Sequence, residues 1–288
     1  MLLLLKHDIL NVENHKEEIL DMIEIDSLSF SYGKKQIFSD FSLHIPKGQC
    51  CLISGVNGMG KTTLLRLISG ALRPDKGNIS FKGLSNPKQQ VALISDSLSL
   101  FENLKVKDMI LLHQSIYKLP KLSLELVERI KIDSNVVISN LSAGQRTILL
   151  LDLMLATQPE VLLIDEVLPA LDAYMREQFL NYLQSQQKKR NMTIVTVNLN
   201  FHDMERFAER IVLLKHGVIE VDEDIENLKN SVKRYISVKK PTDYPIILQK
   251  PRGNETEFYL YPCTEKGSGF ESLSLTEIVS VFIGATYV

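Results

Sequence analysis

Residues 55–62 read Gly-Val-Asn-Gly-Met-Gly-Lys-Thr, which fits the phosphate-loop template G-x-x-x-x-G-K-[ST]. The flanks narrow the fold further. An apolar run at residues 50–54 precedes the loop as a buried parallel strand would. Leu64, Leu65, Leu67, Ile68 and Ala71 then follow at helical spacing through residues 63–72. Such a loop wraps a polyphosphate with its N–H groups turned inward. Gly55, Gly58 and Gly60 permit the dihedrals and the close approach that a Cβ would block. A helix starting near Lys61 adds its positive end. Val56, Asn57, Met59 and Thr63 complete the set of loop residues expected around the nucleotide. Lys61 is expected to reach the β- and γ-phosphates, and the Thr62 hydroxyl to ligate Mg²⁺.

A chain of 288 residues allows one large domain or two, and a hydrophobic share of 44% is ample for a buried core. The formal net charge of -2 gives no reason to expect nucleic acid as the main partner. The basic run Lys188, Lys189, Arg190 reads as the solvated end of a helix. Cys50, Cys51 and Cys263 contain no C-x-x-C pair, so they read as reduced packing residues. No segment approaches the roughly 18–20 apolar residues of a bilayer span. The apolar run at residues 2–5 is too short, and lacks the charged lead, for a secretion signal. The chain is expected to be soluble, with any membrane association made through a partner.

Along the chain, Ile23, Ile25, Leu28 and Phe30 form an apolar strand pattern with one slip in its alternation. A second strand is expected over residues 38–45, and a turn at Pro46-Lys47-Gly48 feeds the phosphate-loop strand. Ile79 and Phe81 suggest a hairpin strand, and residues 91–95 a buried strand ending at Asp96. Residues 98–128 turn helical until Pro120 breaks the run, with a second short helix over residues 122–132. Another helix should follow Arg146 and reach about Ala156. Val161-Leu162-Leu163-Ile164 then runs into Asp165-Glu166. A buried strand that releases acids at its carboxyl end is where parallel α/β sheets place ligand sites. A helix over residues 173–189 and strands at 193–197, 211–214 and 218–221 complete an alternating α/β pattern. The rest, with strand-like pieces at 235–238, 244–248 and 257–261 and a helix near 275–283, reads as a small α+β appendage.

Three features beyond the loop carry a family resemblance. Asp165-Glu166 supplies an acid that helps hold Mg²⁺ and one that polarises an attacking water. Leu141-Ser142-Ala143-Gly144-Gln145 stands one helix before that strand. Tyr32 and Ala170-Leu171-Asp172 flank the set. Over residues 22–221 the chain resembles an ATP-binding cassette (ABC) ATPase, the motor subunit of ABC transporters. The family signature is Leu-Ser-Gly-Gly-Gln, and only Ala143 departs from it. The resemblance implies a phosphate-loop ATPase fold of ABC type: a RecA-like core, an antiparallel β subdomain and a helical signature subdomain at about residues 97–156. The small α+β C-terminal domain would add to it. The implied division is an N-terminal extension at 1–21, a nucleotide-binding domain at 22–222 and the C-terminal domain at 223–288. It implies Lys61 and Glu166 as the catalytic pair, and Tyr32 stacking on adenine. Leu141 to Gln145 would be turned to the ATP of a second ABC subunit, and Ala170, Leu171 and Asp172 would form a loop across that dimer. It implies ATP and Mg²⁺ as cofactors and a transmembrane permease as partner, in a homo- or heterodimer. The chain would then be cytoplasmic, at the inner membrane face through its permease.

The departures bear on rate. The family's Mg²⁺-ligating glutamine aligns with Asp96, so Thr62, Asp165 and Asp96 form the expected metal set. A switch histidine is expected after residues 193–197. Strand register puts Asn198 there and downstream register Leu199, while His202 comes three or four residues late. Val167 replaces the family's proline after Glu166. The leading expectation is a transport-coupled ATP hydrolase. Residues 272–278, followed by Val281-Phe282, loosely resemble the closing helix of exporter-type ATPases and suggest an exporter. The competing expectation is a slow, regulatory ABC subunit paired with a more active partner. A DNA- or ribosome-acting ABC protein is disfavoured by the absence of a coiled-coil insertion, a tandem cassette and a basic surface.

Overall fold

The computed structural model describes residues 20–95, 100–120, 122, 124–197, 201–267 and 269–284. The first part of the chain runs β1 (Asp21–Tyr32), β2 (Lys35–Pro46), β3 (Cys50–Gly55), α1 (Lys61–Ile68), β4 (Lys76–Phe81), α2 (Pro87–Gln90) and β5 (Val91–Ser95). Helices α3 (Val106–Tyr117), α4 (Glu125–Arg129) and α5 (Ala143–Ala156) follow, then β6 (Val161–Asp165), α6 (Ala173–Arg190), β7 (Thr193–Val197), α7 (Phe201–Met204), β8 (Arg210–Lys215) and β9 (Val218–Asp224). The chain closes with α8 (Ile225–Ser231), β10 (Lys233–Ser237), β11 (Ile246–Arg252), β12 (Glu255–Leu260), β13 (Phe270–Ser272) and α9 (Leu275–Ile283).

The strands form three sheets, in the orders β2-β1-β4, β5-β6-β7-β3-β8-β9 and β11-β12-β10-β13. In the six-stranded sheet every pairing is parallel except β8 with β9, where the tight turn at His216-Gly217 leaves room only for an antiparallel return. Its inner strands β3, β6, β7 and β8 are apolar at most positions because both faces are covered, whereas the edge strand β9 is largely polar and exposed, and alternate side chains of the inner strands enter different cores. Leu52, Leu162, Ile164, Ile194, Ile211 and Leu213 join α5 and α6 on one face. Ile53, Leu163, Val195, Val212 and Leu214 meet α1 and the three-stranded sheet on the other.

Several expectations shift. The slip in the first strand is a bulge: Ser27 takes φ 47° and the β1–β2 register changes between Ile25 and Leu28. Ile79 and Phe81 pair with β1 across the sheet rather than in a local hairpin. Helix α1 stops at Ile68, short of the expected residue 72. The helical stretch at 98–128 condenses to α3, and the one at 122–132 to α4. The helix expected after Arg146 begins three residues earlier, because Ser142 caps it. The short helix α8 was not foreseen; Asp224 caps it by accepting bonds from Glu226 N (2.9 Å) and Asn227 N (3.1 Å). Helix α9 buries Leu275, Ile278 and Val279 in the same cluster as β8 and α5. All three cysteines are buried thiols. Among the described residues, no helix is long and apolar enough to cross a membrane.

Candidate nucleotide site

The site lies at the carboxyl ends of β3 and β6. Residue Gly60 is the N-cap of α1 at φ 96°, and an added Cβ would lie 2.8 Å from the Phe38 ring, so both conformation and space demand glycine. The turn delivers Lys61 into the interior, where it is only 6% exposed. Its Nζ donates to the Gly55 carbonyl at 2.8 Å and the Val56 carbonyl at 3.2 Å. Burial pulls the ammonium below its usual pKa, while the Glu166 and Asp165 carboxylates pull it back up. The lysine is therefore held at the loop with two acids close by.

Thr62, one residue into α1, donates its hydroxyl to Asp165 Oδ1 at 3.1 Å. The parallel β6–β7–β3 order brings residues more than a hundred positions apart into contact. Two hard oxygens at bonding distance beside the phosphate loop suit Mg²⁺. Glu166 follows Asp165 with φ 51°, a conformation that costs a non-glycine residue free energy. Its backbone N–H is fixed by the Val197 carbonyl at 3.0 Å. The strained turn sends Glu166 into a cleft of about 390 Å³ that it lines with Tyr32, Asn57, Gly58, Lys61 and Thr62. Tyr32 is 46% exposed at the rim, edge-on to Phe30 at 4.9 Å. Lys35 and Ile37 also line the cleft. Sequence reasoning missed them, although Lys35 opens the strand that follows the Tyr32 turn.

The signature stands elsewhere. Ser142 Oγ accepts from Gln145 N at 3.1 Å, and Gln145 Oε1 accepts from Ser142 N at 3.0 Å, a reciprocal capping box at the start of α5. Leu141 is buried, while Ser142 and Ala143 face outward. At Gly144 a Cβ would lie 2.9 Å from Met175 Sδ and 3.1 Å from the Ala170 carbonyl. Glycine thus lets α5 press against the turn holding Ala170 and Leu171. Next to them Asp172 caps α6 through Oδ1, accepting from Met175 N at 2.8 Å. The signature helix and the expected dimer loop are therefore one packed unit, and none of Leu141 to Gln145 lines the phosphate-loop cleft among the described residues.

Asp96 and Asn198 lie outside the described residues. His202 is placed away from the cleft: it is exposed on α7 and lines a different cavity with Arg176 and Asp203. Val167, in place of the expected proline, is buried in the main core.

Residues 38–168 match the family model described as ABC transporter. The sulfate/thiosulfate import ATP-binding protein CysA of Bacillus cereus is 33% identical over 217 residues, covering 69% of this chain and 60% of that protein. The spermidine/putrescine import ATP-binding protein PotA of Pasteurella multocida is 30% identical over 213 residues, covering 70% of this chain and 58% of that protein. The chain thus spans about 60% of the length of the curated relatives it matches. The solved structure of an ATP-binding subunit of an ABC transporter superposes with a TM-score of 0.65 at 22% identity, over 72% of this chain and 92% of that one, which extends the likeness to the fold. With the phosphate loop, the acidic strand end and the capped signature helix in the family's order, the chain carries the ATP-binding domain of the ABC transporter family.

Proposed function

We propose that residues 22–222 form a nucleotide-binding domain that binds ATP with Mg²⁺ and hydrolyses it when paired with a second ABC subunit. In this reading the domain energises a separate transmembrane permease from the cytoplasmic side, and residues 223–288 are an accessory α+β unit. The observation that carries this reading is the convergence on one cleft of Lys61, the Thr62–Asp165 pair and Glu166. The loop amides and the start of α1 hold the phosphates by their negative charge. Lys61 exchanges its two carbonyl acceptors for phosphate oxygens and meets the charge that develops as the γ-phosphoryl departs. Thr62 and Asp165 would hold Mg²⁺, which would supply Lewis-acid withdrawal of charge from the phosphates. Glu166 orients a water against the γ-phosphate, and Tyr32 packs on the base. Ser142 and the N-terminus of α5 face outward, ready for the nucleotide of the partner subunit.

The relatives CysA and PotA are import proteins by name, so the exporter direction expected from the tail finds no support there.

A second reading, a slow regulatory subunit in a heterodimer, is favoured by the placement of His202 outside the cleft. Equilibrium binding of labelled ATP with magnesium, followed by steady-state turnover alone and with a permease, tests both. Saturable binding with turnover supports the motor, and binding without turnover in either setting supports the regulatory subunit. No binding at millimolar ATP overturns both.

A further inference from the structure

The hairpin of β1 and β2 forms one wall of the nucleotide cleft, and Tyr32, Lys35 and Ile37 line that wall. Their common direction follows from register. Tyr32 pairs directly with Lys35 across a two-residue turn, so the two share a face of the sheet. Ile37, two residues further along β2, returns to that face. It also marks where the wall meets the phosphate loop: Ile37 Cγ2 lies 2.7 Å from the place that a Cβ on Gly60 would occupy. Two residues of strand put the Lys35 backbone roughly 7 Å from Ile37, a gap that the four-carbon stem of a lysine spans. Lys35 therefore stands between Tyr32, at the base end of the cleft, and the loop that takes the phosphates. Charge gives that place a role. Lys61 faces both the Asp165 and the Glu166 carboxylate, so acids outnumber the loop cation at the far end. Lys35 is exposed, and among the described residues no carboxylate forms an ion pair with it. An ammonium carries donors only and suits an anionic oxygen. A purine stacked on Tyr32 offers no charge to meet it, whereas the phosphate nearest the base does.

We propose that Lys35 is a nucleotide-binding residue that pairs with the α-phosphate, so that the cleft grips a nucleoside di- or triphosphate from two sides, with Lys61 at the β- and γ-phosphates and Lys35 at the α-phosphate. The inference rests on the reading of this cleft as an ATP site and adds a contact outside the phosphate loop. Because Lys35 meets a phosphate common to ATP and ADP, it holds both alike and takes no part in telling them apart.

Calorimetric titration of the full chain with ATP and with ADP tests it, in EDTA so that no turnover intervenes. Lys35→Met keeps the stem and removes the charge. It is expected to weaken ATP and ADP by the same factor, about tenfold, the lower end of what a hydrogen bond to a charged group contributes. Lys35→Arg restores the charge and should bind close to the wild type. Raising KCl from about 0.05 M to about 0.5 M should narrow the gap between wild type and Lys35→Met, since exposed charge pairs are screened. Lys35 is exposed on the cleft wall, so the urea midpoint should not move in either variant. Equal affinities of wild type and Lys35→Met overturn the proposal, as does an arginine variant as weak as the methionine one. A larger loss for ATP than for ADP overturns it by moving the ammonium to the γ-phosphate. A gap that salt leaves unchanged overturns it by moving the contact to the sugar or base. If the wild type binds neither nucleotide, the reading of the cleft falls and this proposal with it. If it binds both and Lys35→Met matches it, the proposal alone falls.

Discussion

At the scale of single residues, the nucleotide cleft and the buried Asp152 make opposite demands on charge. Burial lowers the pKa of Lys61, the Glu166 and Asp165 carboxylates partly oppose that shift, and the proposed function uses the ammonium they face. Replacing the lysine with alanine removes the ammonium held at the loop carbonyls, so Lys61→Ala should abolish ATP binding in an equilibrium assay. Glu166→Gln keeps the shape of the cleft and removes the group assigned to orient water. It should leave ATP affinity within a few-fold and lower turnover by about 10²–10⁴-fold, the usual worth of a positioned base. Unchanged turnover would remove Glu166 from the mechanism. Asp152 lies in the middle of α5, accepting from Val127 N at 2.9 Å. Burial pushes its carboxyl from 3.8 up to about 6, an effect its backbone hydrogen bonds only partly oppose. The folded protein therefore holds this proton more tightly than the unfolded chain. The stability tied to it is present at low pH, falls as pH rises between those two values and is lost above about 6. Asp152→Asn should match the wild type near pH 4 and exceed it at pH 8 by up to about 3 kcal/mol, measured by urea unfolding at each pH. Equal stability at both pH values would mean that Asp152 is solvated.

At the scale of elements, what could be read from the sequence was local, and what could not depended on distant packing. The phosphate loop, α1, β5 and β6 were legible because apolar periodicity and the glycine spacing lie within a dozen residues. The start of α5 was misplaced although the Ser142/Gln145 box that sets it stood in plain view, within residues read only as a signature. The break in the helical stretch at 98–128 was legible from Pro120, but α3 ends sooner, where Lys118 turns left-handed at φ 52°. For the site, the Thr62–Asp165 contact was implied by motif chemistry, whereas Lys35 and Ile37 enter only through the pairing of β2 with β1. The role of Gly144 was likewise hidden, since its reason is Met175 and the Ala170 carbonyl across an inter-element contact. That contact gives a test. Gly144→Ala should destabilise the chain by about 1–3 kcal/mol through overpacking. Adding Met175→Ala should recover part of the loss, because the sulfur can retreat while the carbonyl cannot. A neutral Gly144→Ala would mean that α5 does not press on this turn.

At the scale of the whole molecule, the tail and the cassette share a core. The sheet β11-β12-β10-β13 has its own small cluster around Phe258 and Leu260, as an appended unit would. Yet α9 turns back onto α7, α8 and β11 and buries Leu275, Ile278 and Val279 with no exposure at all, in the same core as Ile211 and Leu213 of β8. Lys215 Nζ donates to the Phe282 carbonyl at 3.4 Å, and Tyr261 meets the Phe282 ring edge-on at 5.2 Å. Strand β8 also pairs with β3, the strand that ends in the phosphate loop. Thus α9 supports the sheet that positions the nucleotide site, at two strands' remove. Fully burying one such apolar side chain is worth about 1.5–3 kcal/mol, while a domain's whole net stability is about 5–15 kcal/mol. A chain ending at Ser274 therefore gives up a large part of its margin. Its urea midpoint should fall steeply, and the cassette should lose ATP binding at temperatures where the full chain retains it. An unchanged midpoint, with ATP affinity intact, would mean that α9 covers the core without stabilising it.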